Sequence, residues 1–101
     1  MDEADLAIAV ARTKWRKLTA WGVKFEGDPV VPTEVALCIA FLRQYRATTK
    51  PKVDSYRLKH VAERWAGRYV SNGALIAAAT YLGLKMSRPY GPNVRIAAAV
   101  P

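Results

Sequence analysis

The 101 residues hold sixteen Lys and Arg against eight Asp and Glu, a formal net charge of +8 with a pI near 10.0. Hydrophobic residues make up 51% and charged residues 24%, ordinary for a single globular domain, so a disordered or repetitive chain is excluded. The longest strictly apolar run, residues 35–42, falls far short of the roughly 20 residues a membrane-spanning helix requires.

The charge is uneven. Residues 1–50 net +2, whereas residues 51–101 net +6 and carry only Asp54 and Glu63 as acids. One-sided positive charge is the electrostatic footprint of a polyanion binder, against the plainer alternatives of a solubilising surface or docking to an acidic protein. The start, Met-Asp-Glu-Ala-Asp, is acidic where a secretory leader would be basic and then apolar, so a cytoplasmic setting is expected. The single cysteine, Cys38, lies inside the apolar run and reads as a buried free thiol.

In chain order, residues 2–20 read as a helix with an apolar stripe of Ile8, Ala11, Trp15 and Leu18. Asp2, Glu3 and Asp5 suit the positive end of its dipole, and Arg12, Lys14, Arg16 and Lys17 the negative end. Trp21-Gly22 closes it. Residues 24–31 form a loop around Gly27, Asp28 and Pro29. Pro32-Thr33-Glu34 signals a helix start with Thr33 or a neighbour as cap. Residues 34–46 are apolar nearly all round, which predicts a buried central helix. Residues 47–53 read as a linker.

Asp54 or Ser55 caps a third helix over residues 56–66, with Leu58, Val61, Ala62 and Trp65 facing inward. Arg57, His60 and Arg64 share its opposite, wet face, and Arg68 extends that line. Lys59 and Glu63, four apart, can pair locally. Ser71 or Asn72 caps a fourth helix, residues 73–82, which Gly83 ends. Residues 84–97 read as a β-hairpin turning at Pro89, Gly91, Pro92 and Asn93, with Lys85, Arg88 and Arg95 on its outer side. The fold class is therefore α+β, mainly helical: about four helices and a C-terminal β-hairpin in one domain. Residues 1–46 form its helical support, and residues 54–101 a helix-turn-helix-like unit with the hairpin.

That element order resembles a winged helix. The strict helix-turn-helix spacing is not met, because Gly67 stands five residues after Ala62 where four is usual. The helix that would enter the major groove, residues 73–82, carries no Arg, Lys, Gln or Glu. It is expected to pack on residues 34–46 instead. The C-terminal half, with Leu58-Lys59-His60, Tyr69-Val70-Ser71-Asn72-Gly73 and Pro92-Asn93, also resembles small uncharacterised proteins of bacterial mobile elements such as phages and plasmids. That resemblance implies a bacterial cytoplasmic setting and no particular activity.

No catalytic arrangement is legible. His60 and Glu63 form an H-x-x-E pair, but a structural zinc site wants four ligands, and no phosphate-binding glycine loop is present. Neither enzyme activity nor a cofactor or metal is expected. Tyr56, Tyr69 and Tyr90 sit among cations at element ends. They read as bridges between core and solvent, or as rings for unpaired bases. The expected function is nucleic-acid binding, double-stranded DNA favoured, as a phage or plasmid regulator or accessory factor. Arg57, Lys59, His60, Arg64 and Arg68 would contact the backbone from the third helix. Lys85, Arg88 and Arg95 would do so from the hairpin, and Ser71 and Asn72 would read bases. The alternative is a phage-type inhibitor or adaptor of an acidic or nucleic-acid-binding host protein complex. A homodimer is compatible with either, and no membrane partner is expected.

Overall fold

Asp2 accepts a hydrogen bond from the Asp5 N–H at 2.9 Å and so caps the first helix, α1, Glu3–Lys14. The structure, a computed structural model, describes residues 2–101. The helix stops short of residue 20 because Trp15 leaves helical geometry and its indole N–H donates to Thr80 Oγ1 at 2.9 Å. Its core stripe is Ala4, Ala7 and Ala11, not the larger residues the spacing suggested. Leu18 belongs to β1, Leu18–Thr19, which pairs antiparallel with β2, Gly22–Val23. The expected helix end at Trp21-Gly22 is thus the turn of a small ribbon.

The second helix, α2, spans Pro32–Leu42 and ends before the predicted residue 46. Pro32 occupies its first turn, where the missing N–H costs nothing. Val31 is its N-cap residue and supplies no side-chain bond, so Thr33 does not cap it. Buried Val35, Cys38, Ile39, Phe41 and Leu42 line one side, while Ala36 and Ala40 are exposed. This helix is therefore an outer, one-sided helix.

The extended pair Val53–Asp54, β3, leads directly into α3, Ser55–Ala66. Asp54 caps α3 by accepting the Arg57 N–H at 3.0 Å, and Gly67 ends it with a left-handed φ of 67°. Ser71 caps the fourth helix, α4, Asn72–Tyr81, by accepting the Ala74 N–H at 3.0 Å. Every residue from 72 to 79 is buried. This is the central helix: α1, α2, α3 and β2 all pack on it. Alanine-rich surfaces allow that close approach on several sides at once.

The last strand, β4, Arg95–Ile96, pairs antiparallel with β3 in the register Val53↔Ile96 and Asp54↔Arg95. The expected hairpin is present but thin. Its own pairing consists of the bridges Met86↔Ile96 and Tyr90↔Asn93, with Ala97 N–H to Lys85 O at 2.9 Å and Ser87 N–H to Arg95 O at 3.0 Å. The segment read as a linker supplies the firmer partner, and the bridge Ala47↔Ala98 continues it. Prolines 89 and 92 have no N–H to donate, which limits the hairpin's own ladder. The result is a mainly helical α+β fold in which the helix a winged arrangement would expose is covered by α1 and the β1–β2 ribbon.

Candidate nucleic-acid interface

The wet face of α3 forms as the helical spacing predicted. Arg57 and Arg64 are exposed, His60 is partly exposed, and Arg68 continues the line beyond Gly67. At the N-terminal end of α3 the line meets the C-terminal hairpin. Arg95 lies opposite Asp54, its guanidinium 4.8 Å from the centre of the Tyr90 ring. The Tyr90 hydroxyl donates to Asp54. Burial together with that carboxylate pushes the Tyr90 phenol up to about 12, so it stays a neutral donor. Lys85 and Arg88 are exposed on the same hairpin, and Lys52 is exposed on the segment paired with it.

Three predicted contact residues are not on the surface. Lys59 is buried, its ammonium 3.3 Å from Glu63 Oε2 and flanked by the rings of Tyr56 at 5.4 Å and Tyr69 at 4.6 Å. Spacing placed it beside the wet face, but the segment after α3 folds back over it. The Val70 N–H, too, reaches Glu63, at 3.3 Å. Ser71 is buried as the cap of α4, and its N–H donates to Glu34 Oε1 at 2.9 Å. Asn72 is buried as a clamp: its Nδ2 donates to Trp21 O at 3.0 Å and to Asn93 Oδ1 at 2.8 Å. Neither Ser71 nor Asn72 can read a base edge as expected.

Glu63 draws Lys59, His60 and the Val70 N–H to one carboxylate, His60 Nδ1 standing 2.8 Å from Oε1. Burial pushes this carboxyl up, but those three partners outweigh it and hold it below the ordinary carboxylate value. Its oxygens thus hold the end of α3 to the segment that follows it.

The structure also assembles a cationic surface that the spacing did not indicate. Lys14, Arg16, Lys17 and Lys24 line an open cleft of about 790 Å³ with Trp15 and Phe25, and Glu26 is the lone acid in its wall. Phe25 is 68% exposed and lies under the Lys17 ammonium, 5.9 Å from it. Pro89 and Gly91 also line it, so the hairpin tip that carries Tyr90 borders this cleft. The available signal was the alternation Lys14-Trp15-Arg16-Lys17 and Lys24-Phe25. Inside an expected helix Lys14, Arg16 and Lys17 read as dipole partners instead, and Lys24 fell in the expected loop.

A second cleft, of about 510 Å³, is bordered by Ala20 and Trp21 at the turn of the β1–β2 ribbon. Trp21, Tyr56 and Tyr69 line it, with Lys59, Asp28 and Asn72. The Lys24 ammonium, from the first cleft, sits 5.2 Å from the centre of the Trp21 ring, which lines the second.

Of the sixteen Lys and Arg, only Arg43 and Lys59 come within ion-pair distance of a carboxylate among the described residues. Arg43 grips Glu3, which also accepts the Tyr81 hydroxyl, and so ties the ends of α1, α2 and α4 together. No family model matches the chain, and no curated protein or solved structure matches it.

Proposed function

We propose that this protein binds nucleic acid through the cationic surface that runs from the first cleft, over the hairpin tip, to the outer face of α3. The observation that carries this reading is the convergence of Lys14, Arg16, Lys17 and Lys24 on one cleft without paired carboxylates. Arg88, Arg95, Arg57 and Arg64 continue the surface on the neighbouring elements. Cations in that arrangement gain by displacing the counterions condensed on a phosphate backbone. The burial of α4 removes a groove-entering helix, so duplex binding would rest on backbone contacts and the hairpin. Binding of that kind is weakly selective for sequence and suits an accessory factor of a mobile element.

The test is fluorescence anisotropy of random-sequence duplex and single-stranded DNA and RNA at low and physiological salt. Binding should weaken steeply with salt, with a log–log slope of roughly −0.9 per phosphate contacted on duplex. Substituting Lys14, Lys17 and Lys24 with Ala should lower affinity and flatten the slope by about one for each phosphate contact removed. A flat salt response, or no binding at low salt, sinks the reading.

A second reading, a module that docks on a protein partner, draws on Leu6 and Val10. They are 45% and 41% exposed, one helical turn apart on the outer side of α1. That reading predicts weak salt dependence and a hot spot at those two residues.

A further inference from the structure

We infer that the second cleft is a pocket for one unpaired nucleobase, with guanine preferred. The inference rests on the nucleic-acid reading above and assigns the part of the ligand that the cationic surface does not hold.

Three large rings that could be buried are instead exposed around this cleft: Trp21 at 51%, Tyr56 at 51% and Tyr69 at 64%. They come from separate parts of the chain, the β1–β2 turn, the start of α3 and the α3–α4 connection. Chain-local packing therefore does not account for their convergence. Exposed aromatic faces stack on bases of any kind.

The polar groups narrow the choice. Lys59 and Asp28 are the two charged residues of its lining. The two do not pair with each other: Lys59 is held by Glu63, and Asp28 makes no ion pair among the described residues. A ligand in the cleft therefore finds in Asp28 an acceptor that no cation among the described residues already holds. Guanine presents O6 and N7 as acceptors on one edge and N1–H and N2–H as donors on the next. Among the four bases only guanine presents two adjacent N–H donors on different nitrogens, a pair that one carboxylate accepts together. A cationic ligand is disfavoured, because Lys59 already occupies the space between two of the rings. Asn72 backs the cleft, and its buried Oδ1 has no hydrogen-bond partner among the described residues.

The neighbouring cleft supplies the path for the strand. Lys24 lines the cationic cleft and touches the Trp21 ring of this one, so a strand whose phosphates lie along Lys14–Lys24 passes the mouth of the pocket.

The test has two arms. In the first, 5′-guanosine, adenosine, cytidine and uridine monophosphates are titrated separately into the isotope-labelled full chain and followed by NMR. Guanosine monophosphate should shift the Trp21 indole N–H and the Tyr69 and Asn72 amides at lower concentration than the other three. Asp28→Asn should remove that preference. Equal shifts for all four nucleotides, or shifts confined to residues 14–25 without Tyr69, overturn the proposal.

In the second arm, a short single strand without guanine is compared with the same strand carrying one guanine, and both with duplex. Tyr69→Ala should weaken single-strand binding about tenfold, as loss of one stacked base does, and leave duplex binding unchanged. Single-strand binding indifferent to Tyr69→Ala and to the guanine overturns the pocket while the cationic-surface reading stands. If no polymer binds at low salt, the cationic-surface reading falls, and the mononucleotide arm decides the cleft alone. Thermal melts of Tyr69→Ala and Asp28→Asn, both at exposed positions, establish that the variants are folded.

Discussion

Cys38 and Glu63 show how burial sets the chemistry of single side chains here. Cys38 is fully buried on α2, and burial, helped by Glu34 and Glu63, pushes its thiol up to about 12. The thiolate is the reactive form, so the folded protein should resist a thiol reagent at near-neutral pH and label only as fast as it unfolds. Labelling with a chromogenic disulfide with and without urea measures this; prompt labelling without urea would contradict it. Glu63 has the opposite sign. Its folded value is depressed by Lys59, His60 and the Val70 N–H against the pull of burial. The stability it contributes is present above the unfolded carboxyl value and lost as pH falls through the folded one. Thermal melts should therefore show wild type losing stability below about the ordinary glutamate value of 4.5. Glu63→Gln should lose less over the same interval.

Among the elements, the N-terminus of α4 is the most constrained place in the fold. The Gly73 N–H donates to Ala20 O at 3.0 Å, and a Cβ at Gly73 would stand 1.8 Å from Thr19 O. That atom is backbone, and the ribbon carrying it is itself held to the hairpin turn, since the Val23 N–H donates to Pro92 O at 2.9 Å. Gly73→Ala should accordingly cost about 3 kcal/mol or more, although Ala is the better helix former. A urea titration reads this directly, and an unchanged midpoint would mean that the ribbon is not docked on α4. Beside it, Asn72→Ala leaves the carbonyl of Trp21 and the side chain of Asn93 without their shared donor. The expected loss is about 2 kcal/mol, and it should appear with added exposure of Trp21 to a collisional quencher. The helix spans, caps and stops at α3 and α4 were legible because Asp54, Ser71, Gly67 and Gly83 act within a few residues of the ends they set. The end of α1 was not, because Trp15 turns out of the helix towards Thr80, on an element far along the chain.

At the scale of the whole molecule, the cations gather on surfaces that no single element displays. The first cleft draws on the end of α1, the residues after β2 and the hairpin tip, three parts of the chain brought together by packing on α4. The molecule measures 29 by 27 by 22 Å, so its longest axis covers about nine base pairs at 3.4 Å each. If the cationic surface acts as one interface, affinity for duplexes of increasing length should rise to about that size and then level off at one protein per site. Analytical titration across a length series checks it. A plateau at half that length would confine binding to one of the two cationic regions. No helix is long and apolar enough to cross a membrane among the described residues.

The sequence by itself determined the helical segments of the second half, the mainly helical α+β class, the buried state of Cys38 and the excess of positive charge. Each depends on residue type and on spacing along a few turns of chain. Only the tertiary structure decided which helix lies at the centre, which cations face water, and where the aromatic rings meet. Residues 34–46 and 73–82 are both rich in small apolar side chains, and periodicity cannot say which of two such helices the others will surround. Lys59 looked like any other cation on the wet side of α3 until the segment carrying Tyr69 and Val70 closed over it. Trp21, Tyr56 and Tyr69 lie far apart in the chain and line one cleft because the ribbon, α3 and the α3–α4 connection all dock around the first turn of α4.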